Sequence, residues 1–488
     1  MQKIVSRWSR LTSMTLPNHP AHFFNFNNVV FSKIFIYTLL ISSISLSLTC
    51  SNANKKPNII FILTDDQRWD ALGYSGNPII KTPNMDDLAR NGLYFKNAFA
   101  STPICAASRA SLLTGLYERT HNYTFGRPNL KNEYLFNSYP YLLRKAGYST
   151  GFVGKFGVKV NEGMLDSLFD WHKLTYLPYW KESNGTRKHL VDINGDHAVD
   201  YIKSSKNQPF CLSLSFWSPH ADDDKKEQYF WPHSVDSLYT HDKIPLPITG
   251  DSGFFNALPD FLKTTMNRQR WYWRFDTPEK YQEMVKGYYR MISAVDQVIG
   301  RLRKTLKEEG LEENTVIIFA GDNGYFLGER GYAGKWLMHE TSIRTPLILF
   351  DPRLPNIKKK KTVSEMVLNL DITSTILELA NVGIPENYHG TSLLAFYKQK
   401  PTQWRKSVFL EHRLEGNPLL LKTDAYRDDT WKFIRYDDHP DFYELYNHKE
   451  DPYEIKNLAN NTLYANQLKQ YKSRCDSIAG LLMDARVD

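Results

Sequence analysis

The chain has 488 residues, of which 42% are hydrophobic, 23% charged and 14% aromatic. That length exceeds one typical core, so a large domain with a smaller one is the natural division, and the composition is that of an ordinary globular protein without repeats or low-complexity tracts. The formal charge is +8, but Lys3, Arg7, Arg10 and Lys33 precede residue 50 with no acid among them, which leaves +4 beyond that point. So small an excess gives no sign of a nucleic-acid partner, and charge alone points to no other.

After those four cations comes the apolar run IFIYTLLISSISLSL at 34–48, too short to span a bilayer comfortably. A basic start, a short apolar stretch and SLTC have the layout of a secretory leader over 1–50. Cys50, followed by SNANKK, resembles the lipidation site of a bacterial lipoprotein, although Thr49 stands where Gly, Ala or Ser is usual. The competing reading is a plain cleaved leader with Cys50 incidental, and Met14 is an alternative start. The lipoprotein reading places the protein in the periplasm or on the bacterial cell surface, touching the membrane only through its anchor. Cys105, Cys211 and Cys475 remain beyond it and do not form a disulfide framework.

In chain order, NIIFILTDD at 58–66 reads as an apolar strand ending abruptly in two acids. TPNMDDLARNG predicts a helix that starts at Thr82-Pro83 and stops at Gly92. STGFVGK at 149–155 and PFCLSLSFW at 209–217 read as buried strands, with Cys211 a small buried hydrophobe. Met284, Tyr288, Met291, Val295, Val298 and Leu302 recur at helical spacing, which predicts a long helix over 279–309 closed by Gly310. TVIIFAGDNG at 315–324 and TPLILF at 345–350 are two further apolar strands. Alternation of continuous apolar strands with helices predicts an α/β fold with a large, mostly parallel central sheet flanked by helices, over 57–385. Beyond residue 385 shorter strands (WKFIRY, FYELY) and one last helix predict a smaller α+β domain over 386–488 with a short antiparallel sheet.

Ligands of such sheets sit beyond the carboxyl ends of the strands. Asp65-Asp66 and Asp322-Asn323 follow two strands. If the strands are neighbours, three carboxylates and an amide converge, an oxygen-rich set suited to Ca²⁺ or Mg²⁺. Taken separately, the two pairs read as a helix cap and a turn. TPICAASRASLLTG at 102–115 places Cys105 where a helix begins, so backbone N–H groups and the helix dipole favour negative charge there, and Arg109 adds a fixed cation one turn on. No His or Asn partner for a bare thiolate stands beside it in sequence.

PICAASRASLLTG resembles the signature of the type I, formylglycine-dependent sulfatases of the alkaline-phosphatase superfamily. PNIIFILTDDQRWDALGY, TPNMDDLARNG, GFVGK, SPH at 218–220, FAGDNG, GKWLMHE, SIRTPLILFDPR and ELYNHKEDPYEIKNLA match that family in order, from about Pro57 to the end. The resemblance implies an alkaline-phosphatase-like fold and hydrolysis of sulfate esters. It implies oxidation of Cys105 to formylglycine (3-oxoalanine), whose hydrated aldehyde attacks sulfur with one hydroxyl and expels sulfate with the other. It further implies one Ca²⁺ held by Asp65, Asp66, Asp322 and Asn323 together with the modified Cys105. Arg109 and Lys155 would orient the formylglycine. His220 and Lys335 would grip the sulfate, one of them protonating the leaving alcohol.

Two positions depart from the family. Ala107 stands where proline is common, a variant associated with the radical-type maturase of bacteria. Gly157 stands where the family has the histidine of Lys-x-His, so another base is needed: Lys159, His339 (which sits where tyrosine is common) or another residue, with His339 the first candidate. His389 is a candidate sugar contact, and Trp69, Trp171, Trp180 and Trp231 are candidate sugar platforms or core. KKKK at 358–361 reads as a solvated loop. The expected substrate is a sulfated glycan, such as algal ulvan, carrageenan or fucoidan, or a host glycosaminoglycan or mucin. The rival readings are a phosphodiesterase or phosphonate hydrolase of the same superfamily, and a surface glycan-binding lipoprotein without catalysis.

Overall fold

The computed structural model describes residues 55–183, 185–354, 361–398, 401 and 403–485. The expected leader with Cys50, and residues 358–360 of the lysine run, lie outside the described residues. From Lys56 onward the chain packs as one compact unit.

Its centre is an eight-stranded sheet. The strands in chain order are β1 (Asn58–Thr64), β2 (Leu93–Phe99), β3 (Ser149–Gly154), β4 (Trp171–Leu174), β5 (Phe210–Ser215), β6 (Thr315–Gly321), β7 (Leu347–Phe350) and β8 (Lys361–Leu368). They lie in the order β8-β2-β7-β6-β1-β5-β3-β4. Every residue of β1, β5 and β6 is buried, which is why β1 and β6 read as apolar runs rather than alternating ones, while β5 buries Ser213 and Ser215 among its apolar residues. In β1 successive side chains enter opposite cores. Ile60 and Ile62 pack on one face, and Ile59, Phe61 and Leu63 on the other.

Helices cover both faces. The first face takes α1 (Pro83–Asn91), α3 (Leu190–Ser205) and the 31-residue α4 (Pro278–Glu308). The second takes α2 (Cys105–Thr114) and α5 (Leu370–Leu379). The start of α4 is set by Thr277, whose hydroxyl accepts from the Lys280 amide at 3.2 Å, and by Pro278 in the first turn. Its buried stripe contains Met284, Tyr288, Met291, Val295, Val298 and Leu302. Each fully buried aliphatic side chain of this kind contributes about 1.5–3 kcal/mol.

One expectation needs correcting in detail. β7 looks like β1 and β6 in sequence, yet it pairs antiparallel with both β2 and β6, so its carboxyl end points away from the edge where the other seven strands finish. The chain then closes with an antiparallel four-stranded meander, β9 (Ser407–His412), β10 (Thr423–Asp428), β11 (Trp431–Tyr436) and β12 (Tyr443–Asn447), and with α6 (Ala465–Asp484) against it.

Four adjacent strands, β6, β1, β5 and β3, position the site. Their parallel registers align Thr64 with Gly321, Leu63 with Ser215, and Gly154 with Ser215. The residues that follow these ends therefore emerge side by side: Asp322-Asn323, Asp65-Asp66, the turn to His220, and Lys155.

Candidate active site

Asp65, Asp66, Asp322 and Asn323 are at most 1% exposed and meet at this edge. Asp66 adopts φ +68°, a conformation that costs a non-glycine residue on the order of 1 kcal/mol or more. It is held by bonds at both sides: the Asp66 amide donates to Asp322 Oδ1 at 3.1 Å, and Tyr288 on α4 donates its hydroxyl to the Asp66 carbonyl at 2.6 Å. Asn323 Nδ2 donates to Asp66 Oδ1 at 2.7 Å.

Three buried cations face these three carboxylates. Arg109 Nε donates to Asp322 Oδ2 at 3.0 Å, while its Nη1 reaches the Lys155 carbonyl at 2.7 Å and Ser215 Oγ at 2.5 Å. Lys155 Nζ contacts Asp65 and lies 4.3 Å from the centre of the Trp217 ring. Lys335 Nζ contacts Asp66 and stands 3.6 Å from Asp65. Burial works against ionisation of Asp65, but Lys155, His220, Lys335 and Arg109 outweigh it and hold its carboxyl well below the usual range. Burial, reinforced by the Asp65 charge and only partly offset by Arg109, lifts Asp322 to about 6. For Lys335 burial is overcome by Asp66, Cys105 and Asp65, which keep the ammonium charged.

Three buried oxygens, Asp65 Oδ1, Asp66 Oδ2 and Asn323 Oδ1, have no hydrogen-bond partner. Buried acceptors without a donor are costly, and an all-oxygen set that includes carboxylates fits a hard divalent cation. Oxygens of Asp65 and Asp66 and a ring nitrogen of His220 also lie within 4.8 Å of one another. The Asp322 oxygens already accept from Asp66 and Arg109, but a carboxylate oxygen has a second lone pair to give.

Cys105 is the first residue of α2, 4% exposed. Its loop is tied down from several directions. Ser108 donates its hydroxyl to the Asp322 carbonyl at 2.6 Å and accepts from Asn369 at 3.1 Å. Trp336 donates its amide to the Pro103 carbonyl at 3.1 Å, and Thr102 donates its hydroxyl to Glu118 at 2.7 Å. Burial, then the nearby Glu411 charge, raises Glu118 from an ordinary 4.5 to about 8. A carboxyl whose folded-state value is raised contributes stability that is present below pH 4.5 and lost as pH rises towards 8. Glu118→Gln is therefore expected to be about as stable as the wild type at pH 4.5 and more stable at pH 8, by an amount on the order of a few kcal/mol. Melting curves across that interval check this, and a constant offset would contradict it.

These groups open onto a cleft of about 820 Å³, whose floor includes Cys105, Lys155, His220 and Lys335. His220 is the one histidine among its lining residues, and it donates from Nδ1 to the Ala221 carbonyl at 2.5 Å. Its Nε2, 3.7 Å from Asp66, is left with a free lone pair. Burial lowers the imidazole to about 4 against the pull of Asp65 and Asp66, so it is neutral near pH 7.

Gly157 also lines the cleft, at φ +72°, and a Cβ there would come within 2.7 Å of Arg109 Cδ. The position is thus closed to larger side chains as long as Arg109 stays in place. Gly157→Ala is expected to cost roughly 1–2 kcal/mol and to lower turnover by displacing Arg109. A melting temperature and rate both equal to wild type would show that the loop yields.

Other expected residues are not brought together with Cys105. His339 turns away from the cleft: its Nε2 lies 3.1 Å from Glu444 of β12, among Phe326 and Tyr446. Burial in that pairing removes it as the substitute base. His389 accepts from the Tyr117 amide at 3.2 Å, and its own amide bonds to Gly115. That is the far end of the ten-residue α2 from Cys105, about 15 Å along the axis. It is a helix-end support rather than a sugar contact. Lys159 does line the cleft. The four candidate tryptophans do not. Trp69 packs under Arg344, Trp171 on Tyr201, Trp180 on His189 and Trp231 under Arg290. The cleft uses Trp217 and Trp336 instead. Ser108, Ser215 and Tyr288 support the site and carry no local sequence signal, since a serine in a small-residue helix and a tyrosine in a helical stripe look like packing.

Comparison with known proteins places this geometry. Residues 57–382 match the sulfatase family, and residues 328–479 match the C-terminal region described as that of N-sulphoglucosamine sulphohydrolase. An N-acetylglucosamine-6-O-sulfatase of Bacteroides thetaiotaomicron is 28% identical, with 89% of each chain covered. An ulvan-active sulfatase of Formosa agariphila is 28% identical over 83% of this chain and 77% of its own. A protein solved with its substrate D-glucosamine-2-N,6-O-disulfate superposes with a TM-score of 0.75 at 26% identity, covering 88% of this chain and 99% of that one. A phosphonate monoester hydrolase from Silicibacter pomeroyi shares the fold, with a TM-score of 0.74 at 20% identity over 88% of this chain and 96% of its own. With two thirds of its length matched, this chain belongs to the sulfatase family, the hydrolases of sulfuric esters.

Proposed function

We propose that the protein removes sulfate from a sulfated carbohydrate, a polysaccharide or its oligosaccharides, using a formylglycine made from Cys105 and one Ca²⁺. The observation that carries this reading is the convergence at one sheet edge of Cys105, three carboxylates and the Asn323 amide, with unpartnered oxygens on Asp65, Asp66 and Asn323, and three buried cations. Formylglycine, once hydrated, supplies a hydroxyl nucleophile and a means of expelling sulfate, and a Ca²⁺ held by Asp65, Asp66, Asp322 and Asn323 supplies charge to the sulfate oxygens. Lys335 and Lys155 fix positive charge beside the bound sulfate, and Arg109 fixes the carboxylates and the Lys155 backbone. His220 Nε2, with Nδ1 committed to a carbonyl, presents the lone pair that would take the proton of the attacking hydroxyl and pass it to the departing alcohol oxygen.

The relatives named for N-acetylglucosamine-6-sulfate and ulvan support a glycan substrate. Export as a lipoprotein through Cys50, maturation by a radical-type enzyme, and a division into a catalytic domain over 57–385 and a C-terminal subdomain over 386–488 belong to the same reading. Free sulfate released from a panel of sulfated oligosaccharides tests it, with an aryl phosphonate monoester as the comparison. Sulfate release is expected, and faster turnover of the phosphonate than of every sulfate ester would contradict it.

A further inference from the structure

The cleft contains one more cation with an unusual setting. None of the residues lining it is an acid, yet Arg270 faces into it beside Lys335 and Trp336. Lys335 and Lys155 are paired with Asp66 and Asp65 at the floor. Arg270 is not part of that set. It stands on the short helix Met266–Arg274, and its guanidinium lies 4.6 Å from the centre of the Trp336 ring.

Its counterion is shared. Asp223 takes Nη2 of Arg270 on one oxygen and Nη2 of Arg274 on the other. Two guanidiniums against one carboxylate leave an excess of one positive charge. Arg274 is fully buried, whereas Arg270 is 13% exposed, so the excess is available at Arg270. Arg270 Nε is buried without a hydrogen-bond partner, as are Nε and Nη1 of Arg274, so the donors that Arg270 can offer to the cleft are those of its Nη groups. A guanidinium with one edge on a carboxylate and one face on an aromatic ring is fixed in direction and keeps donors to spare.

The setting is rigid on both sides. Asn267 on the same helix donates to the Lys335 carbonyl at 2.8 Å, and the Met266 amide donates to the Leu419 carbonyl at 2.9 Å. Trp336 is held at φ +81°, a strained conformation for an aromatic residue, with its amide on the Pro103 carbonyl of the Cys105 loop. The strained backbone presents the ring that backs Arg270 immediately after the residue that contacts Asp66. The ring that backs the Arg270 cation thus belongs to the residue that follows Lys335 in the chain.

We propose that Arg270, backed by Trp336, binds a second anionic group of the substrate, a carboxylate or a sulfate on the same or the neighbouring sugar, distinct from the sulfate that is hydrolysed. This rests on the carbohydrate reading above and narrows it to glycans that carry more than one anionic group.

The test compares wild type with Arg270→Gln and Arg270→Lys on four substrates: an aryl sulfate, a singly sulfated hexosamine, its disulfated counterpart, and a sulfated disaccharide containing a uronic acid. The readout is the ratio of kcat/KM for each doubly anionic sugar to that for the singly sulfated one. The wild-type ratio is expected to exceed 1 for at least one of the two, identifying sulfate or carboxylate as the partner. Arg270→Gln is expected to lower that ratio at least tenfold, through KM. Arg270→Lys, which keeps charge but not the fork, is expected to lower it at least threefold, and it serves should the glutamine variant melt too low to assay. A wild-type ratio of 1 or below for both sugars, or variants that slow all four substrates alike, would overturn the inference. Hydrolysis of the aryl sulfate with no sulfate from any sugar would overturn the carbohydrate reading itself, and this inference with it.

Discussion

Cys105→Ala is expected to yield a folded protein that releases sulfate at least about 10⁴-fold more slowly than the mature enzyme, the scale seen when a nucleophile is deleted. Folding should survive because Cys105 adds little to the anchoring of its loop. That work is done by Ser108 on the Asp322 carbonyl, Asn369 on Ser108, and Trp336 on the Pro103 carbonyl. Alanine is a smaller occupant of a position 4% exposed, and the cost of losing one buried sulfur is on the order of 1 kcal/mol. Sulfate release and the melting temperature, measured on the same preparation, separate the two effects. A variant that retains turnover would take Cys105 out of the chemistry.

Asp322→Ala is expected to lower both metal content and turnover, the latter by about 10²-fold or more, and also to destabilise the fold. The buried Arg109 guanidinium would lose the acceptor it meets at 2.9–3.0 Å, and leaving one partner of a buried ion pair alone costs about 3–5 kcal/mol. Asp65 and Asp66 would remain close together with one ligand fewer. Asp322→Asn isolates the chemistry from the packing, since it keeps the volume and an acceptor oxygen for the Asp66 amide. Metal analysis after dialysis should show loss of Ca²⁺ in both variants. Full metal content with full activity in either would mean that the oxygens at this edge do not form the cation site.

Most of this site was legible because buried parallel strands announce their ends. β1 and β6 are unbroken apolar runs followed at once by Asp65-Asp66 and Asp322-Asn323, and the parallel register did the rest. The helix beginning at Cys105 was legible from its small residues and from Gly115 at its end, where φ is +70°. What failed to show in the sequence depended on chain direction over short distances. β7 has the same apolar character as its neighbours, and nothing in LILF marks it as antiparallel. His339 follows Lys335 by four residues, yet it lies against Glu444 and not among the residues that line the cleft. The meaning of Gly157 was equally hidden. It looks like a missing histidine, but the place its side chain would occupy is filled by Arg109. Tyr288 reads as one more member of an apolar stripe, and only the fold shows its hydroxyl fixing Asp66.

Cys105, converted to formylglycine, is the proposed nucleophile of this sulfate ester hydrolase. Mass spectrometry of the peptide containing Cys105, on protein co-expressed with a radical-type maturase and split into active and inactive fractions, tests this role most directly. Sulfate release is expected to rise in proportion to the fraction of that peptide in which the thiol has been replaced by an aldehyde. Full activity from protein whose Cys105 is entirely an unmodified thiol would contradict it.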